Sequence, residues 1–288
     1  MSRYDQNRRG GSRDRRYERY PESTRNRRRK ARRRARRLRR TAAVLFVIAL
    51  ALCLKQAVSN PAANRAIPSI LETIQTGDLE EVYEQAGDAA DTLRTLVKNN
   101  PETADFVKNY MEKKDHPPAQ TVGEITPGVI PLLLQWDERW GYQIYGDQMI
   151  AVNGCGPTVI SMVASGLTGD QTITPYRVAQ FAAENGYYEG EAGTSWTLMT
   201  DGAQYFGIRG EEMGLSEGEV FSALESGCPI ICSMRPGDFT TVGHFIVLVG
   251  TEEGKIRVND PNSVKRSEKL WDYETLEPQI NNLWVYSL

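Results

Sequence analysis

One six-residue stretch constrains the fold more than any other: Asn153-Gly154-Cys155-Gly156-Pro157-Thr158, with an apolar run from Val159 to Leu167 behind it. Val159, Met162, Val163 and Leu167 recur at spacings of three and four, the period of a helix. Pro157 suits a first-turn position, where its missing N–H removes a donor that has no partner within the helix. Cys155 is therefore expected at, or one residue outside, a helix N-terminus. There the positive end of the helix dipole favours an anionic sulfur, the nucleophilic form. The flanking glycines would let a substrate backbone come close. The structural alternative is a small buried residue at a tight turn, and the residues downstream weigh against it.

Charge divides the chain into two materials. Residues Met1 to Arg40 carry 19 Lys/Arg, 18 of them Arg, against 4 Asp/Glu, whereas the remainder carries 16 against 33. The overall balance of −2 hides an arm of +15 joined to a body of −17. The arm is poor in aliphatic residues and is expected to be disordered in isolation. With three tyrosines it could contact nucleic acid or an anionic membrane leaflet. No nucleic-acid-binding fold accompanies it, which favours a topology signal that also sits on anionic lipid.

Next comes an uncharged run from Thr41 to Leu54, followed by Lys55, Gln56, Ala57 and Val58. Read to Val58, with Lys55 snorkelling, residues 41–58 form a short transmembrane anchor. Read to Leu54, the run has the length of a signal-peptide core, with Ala57-Val58-Ser59 as a cleavage site. The preceding arm of 40 residues is long for a signal peptide and favours the uncleaved anchor. A lipoprotein reading of Cys53 is poor, because Leu52 stands where a small residue is needed. The basic arm places residues 1–40 in the cytoplasm and everything after Val58 outside, as in a bacterial single-pass membrane protein.

Residues 59–123 read as a helical stalk and linker. Ile70, Leu71, Ile74, Val82, Tyr83, Leu93, Leu96 and Val97 have helical spacing, broken into short pieces by Gly77, Gly87 and Pro101. His116 to Gly123 reads as a linker that ends this stalk or small helical subdomain. Whether it restrains the rest of the chain, as a propeptide would, stays open.

Residues 124–288 have globular character. Thr174-Pro175 predicts a helix ending at Asn185-Gly186, Thr194 or Ser195 opens one ending at Gly207, and Ser216-Glu-Gly-Glu219 opens one ending at Gly227. The period then changes: Pro229–Met234, Phe245–Val249, Ile256–Asn259 and Leu283–Tyr286 read as strands. Helices first and strands after predict an α+β fold, an antiparallel sheet packed against the nucleophile helix.

Chemistry is restricted by scarcity. Cys53, Cys155, Cys228 and Cys232 form no CxxC pair and no zinc spacing. Cys228 and Cys232 lie too far apart along one strand to bridge, so neither a disulfide scaffold nor a metal or other cofactor is expected. Only His116 and His244 could serve as a base. Gly243-His244 opens one strand, Thr251-Glu-Glu-Gly254 is a turn, and Ile256-Arg-Val-Asn-Asp260 runs back. In such a hairpin the residues opposite His244 fall at about 260 to 262, so Asp260 lies across from His244 or one diagonal step away. A carboxylate there would orient the imidazole and stabilise its charged form.

The residues also carry a resemblance. Gln135-Trp-Asp-Glu-Arg-Trp140, Gly154-Cys-Gly-Pro157 with Met162, Gly243-His-Phe-Ile-Val247 and Asn259-Asp-Pro261 occur in that order. Over about Val129 to Leu288 the chain resembles the papain-like cysteine peptidases, specifically the bacteriocin-processing (double-glycine) peptidase-like group. The resemblance implies Cys155 as nucleophile, His244 as its base, Asp260 as the orienting carboxylate and Gln135 in the oxyanion hole. Gln135 precedes Cys155 by 20 residues, more than is usual, and Gln148, seven residues before it, is the rival. The resemblance does not extend to a transporter, and so implies no export of a leader peptide. It implies a peptide or protein substrate and hydrolysis through an acyl-enzyme. A cell-wall peptide amidase, an acyl transferase and a non-enzymatic surface-binding module are the alternatives on the same fold. Trp136, Tyr187 and Trp196 are candidate cleft aromatics, with a core role as the plainer reading of each.

Overall fold

A computed structural model describes residues 78–288, apart from 191 and 192. The basic arm, the 41–58 run and the stalk up to residue 77 lie outside the described residues. No helix among the described residues is long and apolar enough to cross a membrane. The chain divides into Met1–Ile74 and Gln75–Leu288, and every described residue belongs to the second unit.

The unit is built on a six-stranded antiparallel sheet of order β3-β8-β4-β5-β6-β7. The strands are β3 (Arg209–Glu212), β4 (Ile230–Met234), β5 (His244–Glu252), β6 (Lys255–Asn259), β7 (Leu270–Trp271) and β8 (Ile280–Ser287). A two-residue pair, β1 (Ile144–Tyr145) with β2 (Gln148–Met149), stands apart from it. The four strands expected from the sequence are all present; β3 and β7 are short edge strands without a strong apolar signature. Helices cover both faces, and all five residues of β4 are buried, the polar Ser233 among them. Ile231, Phe245, Val247, Trp284 and Tyr286 face one core, and Ile230, Cys232, Ile246, Leu248 and Leu283 face the other.

On the first face lies the helix Cys155–Thr168, which packs on β5 and on the helix Pro175–Glu184. Its residues Gly156 to Gly166 are all buried, so the apolar stripe anticipated at Val159, Met162 and Val163 has widened to the whole circumference. Gly169 ends it in the left-handed conformation at φ 74°. The helix Pro175–Glu184 starts where its cap predicts, with Thr174 Oγ1 accepting from Arg177 N–H at 3.1 Å. The helix expected from residue 194 or 195 is present over residues 197–204, with its middle, Leu198–Gly202, wound as a π turn. On the second face the helix Glu217–Glu225, capped by Ser216, packs on β4 and β5.

The expected stalk is different from residue 78 onward. Residues 78–85 and the helices Ala90–Asn99, Ala104–Lys108 and Tyr110–Lys113 lie against the unit instead of standing apart from it. Leu93, Leu96, Phe106 and Val107 share one core with Tyr142, Met149 and Ala151. Phe106 stacks on Tyr142 at 4.1 Å, and the Tyr142 hydroxyl donates to the Phe106 carbonyl at 2.7 Å. The modest amphipathicity of this segment is thus an apolar face that needs a partner. The linker is docked too: Ala119 N–H donates to Arg139 O and Val122 N–H to Gln171 O, both at 2.9 Å. The boundary placed at residue 124 therefore crosses no gap in the packing.

Candidate active site

Cys155 is the first residue of its helix, as its sequence context predicts, and is half-buried at one wall of a cleft of about 1150 Å³. Its flanking glycines serve packing more than access. A Cβ on Gly156 would come within 2.6 Å of Thr194 Oγ1, and one on Gly154 within 2.4 Å of the Ile150 carbonyl. Thr194 is fixed there by Tyr145, whose hydroxyl lies 2.9 Å from its own. The glycines let neighbouring chain segments close on the cysteine turn.

β5 and β6 deliver the imidazole and the carboxylate. The hairpin turns at Glu253-Gly254, both at positive φ (53° and 75°), and pairs Leu248 with Val258 and Val247 with Asn259. Continued to the strand end, that register places position 262 opposite His244, with Asp260 one diagonal step away. His244 Nε2 and Asp260 Oδ1 are 2.8 Å apart. This leaves Nδ1 on the side of the cleft, which Cys155 also lines. His244 is buried and Asp260 is fully enclosed.

A buried carboxylate must have its lone pairs occupied. Asp260 Oδ1 also accepts the Asn262 N–H at 2.8 Å, and Oδ2 accepts Arg266 Nε at 2.5 Å. Burial alone would pull the His244 imidazole down; the charge and hydrogen bond of Asp260, then contact with Cys155, outweigh it and push His244 up to about 10. Burial would likewise raise Asp260, and His244 and then Arg266 outweigh it, holding the carboxyl below its usual range. Both shifts favour imidazolium beside carboxylate.

Gln135 and Gln148 both line the cleft. Gln135 is buried between the two halves of the site: its backbone N–H donates to Pro261 O at 2.7 Å, and its Nε2 to Ala151 O and Val152 O at 2.8 and 3.2 Å. Its Oε1 has no partner among the described residues. Both amide hydrogens are therefore committed to carbonyls in this structure, and donation to an oxyanion requires exchanging one of them. Gln148 lies farther out, where its Oε1 accepts from Thr92 Oγ1 at 3.4 Å. Of the three candidate aromatics, Trp196 lines the cleft, 42% exposed and edge-on to Trp284. Trp136 packs with the helical segment and donates to Asn262 O, and Tyr187 stacks on Phe181. His116 lies outside the cleft lining, and Cys228 and Cys232 are unbridged.

Arg266, Asn262, Asn100 and Glu102 carry no catalytic signal in the sequence. The Asn262 contact could have been anticipated, since an aspartate at a turn commonly accepts the N–H two residues on. Arg266 follows Asp260 by only six residues, whereas Asn100 and Glu102 reach the site through tertiary structure.

A cysteine-bearing helix packed on an antiparallel sheet that carries the histidine is the architecture of the papain-like cysteine peptidases. The chain belongs to the Peptidase_C39 like family, whose profile matches residues 129–287. Among solved structures it is similar to the peptidase domain of Streptococcus ComA, described as a bi-functional ABC transporter involved in a quorum-sensing pathway. Identity there is 19%, over 46% of this chain and 89% of that one, with a TM-score of 0.36. It is also similar to a C39-like peptidase from Bacillus anthracis, at 15% identity over 58% of this chain and 98% of that one, with a TM-score of 0.37. No curated protein matches.

Proposed function

We propose that the protein is a cysteine peptidase in which Cys155, His244 and Asp260 act as a triad. The observation that carries this reading is the 2.8 Å His244–Asp260 contact in the cleft that Cys155 also lines. The sulfur attacks the scissile carbonyl, giving a thioester, and the His244 imidazolium protonates the departing amine. Water, deprotonated by His244, then hydrolyses the thioester. The N–H groups at the start of the Cys155 helix, which lack intrahelical partners, would receive the oxyanion, joined by the Gln135 amide once it releases Ala151 O or Val152 O. Asp260 holds the ring in position and keeps its charge; it does not take the proton.

The substrate in this reading is a peptide or protein entering the cleft, and the same acyl-enzyme would serve an amidase or transferase acting on wall peptides. From the sequence we place residues 41–58 in a membrane, with the arm on its anionic cytoplasmic face and the peptidase unit outside. The decisive experiment is labelling with an electrophilic cysteine probe alongside peptide-library cleavage. Cys155→Ala should lose both labelling and cleavage while remaining folded. Labelling that persists at Cys228 with cleavage intact would refute the assignment. Burial pushes the Cys232 thiol up, so it should not compete for the probe.

A further inference from the structure

The turn that carries Asp260 is held from outside the family domain. Residues 261–265 follow Asp260 and lead into a short helix, Val264–Ser267, which supplies Arg266. Asn262 is the residue whose N–H binds Asp260 Oδ1. Its carbonyl accepts Asn100 Nδ2 at 2.5 Å, and its side-chain oxygen lies 3.2 Å from the same amide nitrogen. One residue on, Ser263 Oγ donates to Glu102 Oε1 at 2.5 Å. The Val264 and Lys265 N–H groups point at Glu102 Oε2, at 2.9 and 3.3 Å. A single carboxylate, 161 to 163 residues earlier in the chain, thus receives the free donors of this turn.

The side that holds is itself fixed. Asn100 is buried, its Oδ1 accepts the Glu102 N–H at 3.0 Å, and its carbonyl accepts Thr103 Oγ1 at 2.8 Å. Leu96 before the pair and Phe106 after it are both anchored in the core shared with Tyr142 and Met149. The same segment forms part of the cleft wall through Asp91, Thr92, Thr95 and Asn99.

We propose that Asn100 and Glu102, which precede the family domain, are positioning residues that fix Asp260 against His244 by clamping the turn 261–265. Residues 90–108 are then part of the catalytic unit, neither a spacer nor an inhibitory segment. The inference rests on the triad reading, because Asp260 matters to activity only if His244 serves Cys155. Placement of this kind is costly to lose: a shift of about 1 Å can lower a rate on the order of a hundredfold. The charged and titratable groups around the contact are His244 from β5, Arg266 from the short helix, Cys155 in the same cleft lining, and Glu102 behind the turn.

The test needs no substrate. Alkylation of Cys155 by iodoacetamide, followed across pH by mass spectrometry of its peptide in the full chain, reads how well His244 activates the sulfur. The parent should react faster than His244→Ala across about pH 6 to 8. Glu102→Ala should lose on the order of tenfold in rate at about pH 6, its profile moving toward that of His244→Ala. Glu102→Gln, which keeps one acceptor for the turn, should lose less. Should Glu102→Ala not fold, Glu102→Gln and Asn100→Ala are read in its place. A folded Glu102→Ala protein with the parental profile, or parental profiles in both alternates, overturns the proposal. A lowered melting temperature with the profile unmoved would mark the contact as structural only, which also overturns it. A parent whose profile matches that of His244→Ala would sink the triad reading itself, a separate outcome.

Discussion

Replacing Asp260 with alanine removes the acceptor for three donors at once: His244 Nε2, the Asn262 N–H and Arg266 Nε. Each buried donor left unpaired costs about 1–3 kcal/mol. Removing one member of a buried ion pair costs about 3–5 kcal/mol. These overlap because they count the same groups, so about 3–5 kcal/mol is the expected loss of stability, measured by urea unfolding at neutral pH. Turnover should fall further than stability alone explains. With no acceptor the imidazole can rotate or take the wrong tautomer, and kcat should drop on the order of a hundredfold or more with little change in KM. Asp260→Asn separates the two roles. Its carbonyl can still accept from the ring, but its NH2 then faces the Arg266 Nε–H, donor against donor. That variant should keep partial activity while losing the charge-assisted bond to Arg266, about 1.5–3 kcal/mol. Steady-state assays of all three proteins, under conditions where unfolding curves show each to be folded, decide the matter. An Asp260→Ala enzyme with parental kcat removes Asp260 from the triad, and an Asp260→Asn enzyme as damaged as Asp260→Ala refutes the division of labour between its two oxygens.

Stability should also depend on pH through this pair. His244 rises from 6.5 in the unfolded chain to about 10, so its contribution is complete below pH 6.5 and is lost as pH climbs through 10. Asp260 lies below its unfolded value of 3.8, so its contribution is present above that pH and is lost as pH falls through the lower, folded value. Urea unfolding of the parent should weaken between pH 6.5 and 10 more than that of His244→Gln; equal slopes would contradict the ion pair. Topology has its own measurement, motivated by the +15 arm beside an uncharged run. Protease added to intact cells should remove the peptidase unit and spare the arm, whereas a mature N-terminus near Asn60 would establish cleaved secretion.

The separation between what is local and what is not follows the range of the interactions. Cys155 at a helix start, the Thr174 and Ser216 caps, the four central strands and the β5–β6 register were readable from sequence, because each depends on residues within one hairpin or one helix turn. The diagonal placement of Asp260 on His244 belongs with these only in part: the two-residue turn sets the pairing as far as Gly250 with Arg257, and a bulge between Gly250 and Leu248 then shifts it by one residue. The direction of the Gln135 amide, the closure of Thr194 on Gly156 and the grip of Glu102 on residues 263–265 depend on segments brought together by packing across the sheet and helices. For the segment from residue 78 to 113, periodicity revealed an apolar face and nothing about its partner. Burial is non-directional, so a helical stripe declares that it must be covered. Only the tertiary structure decided that its cover is the wall of the cleft lined by Cys155 and His244.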